Sequence, residues 1–198
     1  MAVTGGPVAI LAWGSLVWDI DNLAPHVTGD WQMGAGPVLP MEFSRISPKR
    51  LMGLVLCLDP ADGTPCVTHA IRSRRAAVAQ AQADLAARER APLSRIGWVD
   101  RAGGQSRVPG IVDLIGAWCT DAGWSGAVWT DLEPNFEAQT GRSFTYVEAE
   151  TYLRGLEGAS REEAERYIRN APAQTDTGFR RHLAARDWWA ASDKDKQG

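Results

Sequence analysis

Apolar residues cluster along this chain in short runs broken by polar punctuation, and the spacing of those runs predicts most of its elements. Val8–Trp13 is an unbroken apolar run, too short for a helix and suited to a buried strand. Gly34–Pro40 (GAGPVLP) is a breaker-rich connection, after which PMEFSRIS (40–47) and RLMGLVLCLD (50–59) read as two strands. The turn sequence DPADGTP (59–65) follows and predicts a hairpin into a third strand, CVTHAIR (66–72). Ser73–Arg90 has the composition of a helix, with Ser73 as its expected N-cap and Pro92 as its stop. IGWVD (96–100) and SGAVWTDL (125–132) read as strands, RAGGQSR as a loop, and EPNF as a turn. Val112–Cys119 is apolar but undecided between strand and helix. Two helices follow, VEAETYLRGLEG and ASREEAERYIRNAP, the second with Ser160 and Glu163 spaced as a cap.

Strands first, one long helix, further strands and then helices is the order of an α+β domain with a mixed or mostly antiparallel sheet. We expect one domain over residues 1–190 and a disordered tail over 191–198. There is no internal repeat. The 198 residues suffice for a real core.

Composition narrows the class. A net charge of −3 and a pI near 5.6 argue against a nucleic-acid partner. No apolar stretch approaches the roughly 20 residues needed to cross a bilayer. The opening MAVTGGPVAILAW lacks the basic region of a secretory leader. Cys57, Cys66 and Cys119 form no CxxC pair and share no ligand spacing with His26, His69 or His182, so no metal site is expected. Free thiols imply a reducing, cytoplasmic setting. His69, inside a strand, reads as a core histidine. Nine tryptophans suggest a well-walled interior without naming a ligand.

Two features carry candidate chemistry. In AILAWGSLVWD (9–19) the apolar run stops at Gly14-Ser15. That is either a plain bend or a place where glycine, open to φ values closed to other residues, bares main-chain N–H groups to an anion or an oxyanion. On the long helix, Val78, Ala81, Leu85 and Glu89 share one face, interrupted by Gln82. Asp84 and Arg88 fall on another face, spaced for an i,i+4 ion pair. Glu89 is therefore either the end of a core-facing stripe or part of a frayed, solvated terminus. In the first case, desolvation adapts a carboxyl group to proton transfer near neutrality. Arg45 in FSRIS has two readings, an anion contact or a structural ion pair. Tyr152 on its short helix defaults to packing.

These residues carry a resemblance. AILAWGSLVWD is similar to the opening strand and loop of the γ-glutamylcyclotransferase-like superfamily, a hydrophobic strand followed by Tyr-Gly-Ser-Leu or Tyr-Gly-Ser-Asn. Leu16-Val17-Trp18 lies close to the Leu-Ile-Trp of its glutathione-degrading ChaC branch. DLAARERAP places Glu89 where the superfamily carries its catalytic glutamate, and AETYLRGL is similar to its late tyrosine-containing helix. The resemblance covers roughly the first 90 residues most closely. It implies a small mixed β-barrel with flanking helices and a pocket at the 14–16 loop. It also implies release of 5-oxoproline from a γ-glutamyl amine, amide or peptide, without metal or organic cofactor. Glu89 is then the general acid/base, and Trp13, Gly14, Ser15, Leu16, Arg45 and Tyr152 are substrate contacts. Trp13 stands where the superfamily has tyrosine and makes a bulkier wall. The Trp-rich segment 95–136 is longer than in compact members and reads as a lid or a substrate wall. Two other functions fit the same residues: a non-catalytic small-molecule-binding domain, or an amide hydrolase in which Glu89 activates water.

Overall fold

The five residues of the first strand, VAILA, are all buried because neighbours pair with it on both edges, and a strand covered on both faces needs apolar side chains throughout. The computed structural model describes residues 6–194. Its strands are β1 (Val8–Ala12), β2 (Val27–Gln32), β3 (Val38–Ser47), β4 (Gly53–Leu58), β5 (Thr64–Val67), β6 (His69–Ser73), β7 (Ile96–Asp100), β8 (Gly103–Gln105) and β9 (Gly126–Thr130). Its helices are α1 (Val78–Glu89), α2 (Ile111–Ala122), α3 (Phe136–Thr140), α4 (Tyr146–Gly155), α5 (Gly158–Asn170), α6 (Gly178–Ala184) and α7 (Asp187–Lys194). The fold is mixed α+β. Helix α7 enters the stretch expected as a disordered tail, whose residues 195–198 lie outside the described residues.

The chain divides into two compact units, one of residues 1–39 and 67–133 and one of residues 40–66 and 134–198. The first holds a six-stranded sheet in the order β2-β6-β1-β9-β7-β8. Its β1–β9 pair is parallel, and its other neighbouring strands pair antiparallel. The order is linear, and no pairing of β2 with β8 closes it into a barrel among the described residues. Val78, Ala81, Leu85 and Ala86 of α1 pack with Ile10, Ala12, Ile71, Ile96 and Val128 of the sheet to form one core, which also takes in Leu16. Gln82, the polar interruption in that stripe, sends its amide to the carbonyls of Leu93 and Ile96. Residues 96–130 of the Trp-rich segment supply β7, β8, α2 and β9, and the fully buried Trp129 is core. Val112–Cys119 resolves as helix because Ile111, Ile115 and Cys119 are its buried positions, four residues apart.

Gly97 lies opposite Trp129 in the β7–β9 register, and a Cβ there would run into the indole. Gly97→Ala should destabilise the protein by about 1–3 kcal/mol through overpacking, read as a lower midpoint in chemical denaturation.

The second unit is built on a three-stranded sheet in the order β4-β3-β5. DPADGTP makes its turn, but not a hairpin, because β4 and β5 lie on opposite sides of β3 rather than beside each other. Asp59 organises that turn. Its Oδ1 accepts from the N–H groups of Ala61 and Asp62, its carbonyl accepts from Gly63 N–H, and its Oδ2 takes the Ser44 hydroxyl at 2.5 Å. CVTHAIR, expected as one strand, is two. Thr68 sends both its N–H and its hydroxyl to the Pro37 carbonyl, and the run changes sheets there. Ser73 ends β6 instead of capping α1, and its hydroxyl accepts from Arg75 N–H. Ser160 lies within α5, so it is not that helix's cap.

Beside Asp59 lies a second buried acid. Glu42 accepts from the N–H groups of Phe43 (2.9 Å) and Phe179 (3.3 Å), and burial pushes its carboxyl up to about 7, with Asp59 adding to the rise. Raised affinity for the proton in the folded state means stability is fully present below the unfolded value of 4.5 and is lost as the pH rises through about 7. Urea denaturation across that window should show a loss of about 3 kcal/mol, and Glu42→Gln should flatten it.

Candidate functional site

Helix α1 ends abruptly rather than fraying. Arg90 takes the left-handed conformation (φ 49°, ψ 44°), its N–H closes back on the carbonyls of Ala86 and Ala87, and Ala91 N–H bonds the Ala86 carbonyl. Glu89, one turn beyond Leu85, is thereby fixed on the helix. Its side chain is 16 % exposed, so the solvated alternative does not hold. Oε1 accepts from the Thr130 hydroxyl at 3.2 Å and from an Arg88 guanidinium nitrogen at 2.9 Å.

Thr130 locates the carboxylate in the sheet. The parallel register pairs Val8 with Gly126 and Ile10 with Val128, and continued by two residues it brings Thr130 level with Ala12. Glu89 therefore sits over the carboxyl ends of the parallel strands, where β1 gives way to Trp13-Gly14-Ser15-Leu16. This is the end of a parallel pair at which connecting loops commonly build ligand sites.

The WGSL segment forms a single 3₁₀ turn over Ser15–Val17, with Trp13 and Leu16 buried. Its hydrogen bonds run from the N–H groups of Val17, Trp18 and Asp19 back to the carbonyls of Gly14 and Ser15, which leaves those of Gly14, Ser15 and Leu16 outside the turn's own bonding. Gly14 has φ −128°, so the position does not use the left-handed freedom expected of it. Gly14 is itself buried, and its ψ of −139° lies outside the regular helical and extended regions.

Arg88 joins the two halves, a role the sequence reading missed. It does not pair with Asp84, which is taken at 2.6 and 3.0 Å by Arg75. Its side chain is 7 % exposed, with one terminal nitrogen on Glu89 and the other on the Asp19 carbonyl at 2.5 Å. Asp19 N–H in turn bonds the Ser15 carbonyl at 2.8 Å. A continuous chain of hydrogen bonds thus runs from Glu89 through Arg88 and Asp19 to the WGSL turn. Arg88 Nε is buried with no partner among the described residues. Adjacent charged residues at a helix end look like a solvated face, and only the fold turns this one inward.

Arg45 and Tyr152 belong to the second unit. Arg45 is half-buried on β3, in register with Val55. Tyr152 donates to the Met52 carbonyl at 2.7 Å and lays its ring edge-on to Phe136 at 5.9 Å, an architectural role within that unit. His69 is fully buried, accepts Gly34 N–H at Nδ1 (2.8 Å), and is held below its usual pKa by desolvation. Its Nε2 has no partner among the described residues, so it is a core histidine only half satisfied. The three cysteines are free and buried, and burial pushes Cys66 and Cys119 up to about 11. Among the described residues no cluster of three His, Cys, Asp or Glu side chains offers a metal site, and no helix is long and apolar enough to cross a membrane. Compared with known proteins, the chain matches no family model, and neither a curated protein nor a solved structure matches it.

Proposed function

We propose that this chain is a cytoplasmic γ-glutamylcyclotransferase-like enzyme that releases 5-oxoproline from a γ-glutamyl amine, amide or peptide. The observation that carries the reading is the connection of Glu89 to the WGSL turn through Arg88 and Asp19, with Thr130 fixing the carboxylate from the other side. The small barrel implied by the resemblance belongs to this proposal, with the six-stranded sheet as its wall.

The chemistry follows from the groups present. The substrate's α-nitrogen attacks its own side-chain carbonyl carbon, a C–N bond forms to close the five-membered lactam, and the C–N bond to the leaving amine breaks. Two protons leave the α-ammonium group and two reach the departing nitrogen, so a single carboxylate relaying them turns over unchanged. Glu89 is that relay. The N–H groups of Gly14, Ser15 and Leu16, outside that turn's own bonding, are assigned to the oxygen on which negative charge develops. Because nucleophile and electrophile share one molecule, holding the substrate folded supplies much of the acceleration, and no cofactor is needed.

The test is product analysis of the purified protein with a panel of γ-glutamyl compounds that includes glutathione. We expect 5-oxoproline and the free amine. Glutamate in place of 5-oxoproline would assign the protein as an amide hydrolase. Thermal stabilisation by the same compounds without any product would assign it as a binding domain.

A further inference from the structure

A cleft of about 390 Å³ opens in the first unit immediately after the WGSL turn, within the size range of small-molecule sites. Its wall begins with Val17 and Trp18, continues through Ile20 to Trp31, and has Ile71 of the sheet beneath. Asp30 lies exposed on its lining, and Arg74, tied by Nε to the Val27 carbonyl, also lines it. The position matters as much as the lining. Trp18 and Ile20 flank Asp19, the residue whose carbonyl receives Arg88 and whose N–H holds Ser15. One strap of chain therefore forms both the wall of this cleft and the link to Glu89.

We propose that this cleft is the subsite for the leaving group, and that it selects γ-glutamyl conjugates whose amine carries a flat aromatic group. The inference rests on the cyclotransferase reading. The γ-glutamyl half is small and polar and is assigned to the turn and Glu89; the group beyond the scissile bond is assigned to the cleft joined to them by this strap, whose lining includes two indoles and aliphatic side chains. Aromatic rings dock on such surfaces by offset or edge contacts, a geometry that a short polar leaving group cannot use.

The experiment compares γ-glutamyl-tryptamide with γ-glutamyl-methylamide, which differ only beyond the scissile nitrogen, and measures calorimetric binding of tryptamine alone. We expect kcat/KM to favour the tryptamide by about tenfold or more, and Trp31→Ala to collapse that ratio toward one, with Trp31→Phe restoring most of it. Tryptamine should bind the wild-type protein, and Trp31→Ala should weaken that binding about tenfold. Equal turnover of the two conjugates, or tryptamine binding indifferent to Trp31, overturns the subsite. Tryptamine binding that depends on Trp31, with no 5-oxoproline from any conjugate, supports the cleft as an aromatic-amine site and overturns the cyclotransferase reading instead.

Discussion

Glu89→Gln should lower 5-oxoproline release by about 10²- to 10⁴-fold, the range lost when a positioned acid/base is removed. The substitution keeps size and shape, and an amide oxygen still accepts from the Thr130 hydroxyl and from Arg88, now as a neutral acceptor. The far-ultraviolet circular dichroism should therefore stay close to wild type and substrate should still bind, while the denaturation midpoint falls because the nearly buried Arg88 guanidinium loses its anion. Turnover retained within a few-fold would remove Glu89 from the chemistry.

The second large effect is expected at Arg88. Its guanidinium is nearly buried and holds two partners at once, the Glu89 carboxylate and the Asp19 carbonyl. Arg88→Met preserves much of the apolar stem but removes the guanidinium 2.9 Å from a largely buried carboxylate, and breaking such a pair costs about 3–5 kcal/mol. Activity should fall further than stability alone explains, since both the carboxylate and the strap after the WGSL turn lose their anchor. Arg88→Lys restores the charge but not the planar fork that spans two acceptors, so it should recover stability more fully than kcat. Urea denaturation and steady-state kinetics on the three proteins separate these effects. An Arg88→Met variant with wild-type kcat would show that the link is merely structural.

Much of this arrangement was legible in the chain. An unbroken apolar run such as VAILA has few other uses than a strand covered on both faces, and Val78, Ala81 and Leu85 define the inward face of α1 by spacing alone. The errors share a cause, since they concern partners rather than elements. DPADGTP does turn the chain, but local sequence does not record that β3 lies between the strands it joins. Nothing in CVTHAIR marks the change of sheet, because the Pro37 carbonyl that captures Thr68 is distant in sequence. Ser73 and Ser160 have the chemistry of caps without the position, the first ending a strand and the second lying inside a helix. Arg88 was assigned to Asp84 by the i,i+4 rule, which weighs only residues on the helix; Arg75, outside it, takes that acid, and Arg88 is left for Glu89 and Asp19. The local pattern brought Glu89 and the WGSL turn into view separately. Their connection depends on the parallel register of β1 and β9 and on a buried guanidinium, both properties of the fold.

The measurement that tests the central claim most directly is turnover of a γ-glutamyl substrate in ¹⁸O-labelled water, with the released acid analysed by mass spectrometry. Intramolecular attack by the α-amine involves no solvent oxygen, so the account predicts 5-oxoproline carrying no label. Labelled glutamate as the primary product would contradict it, because the carbonyl would then have been opened by water and not by the substrate's own nitrogen.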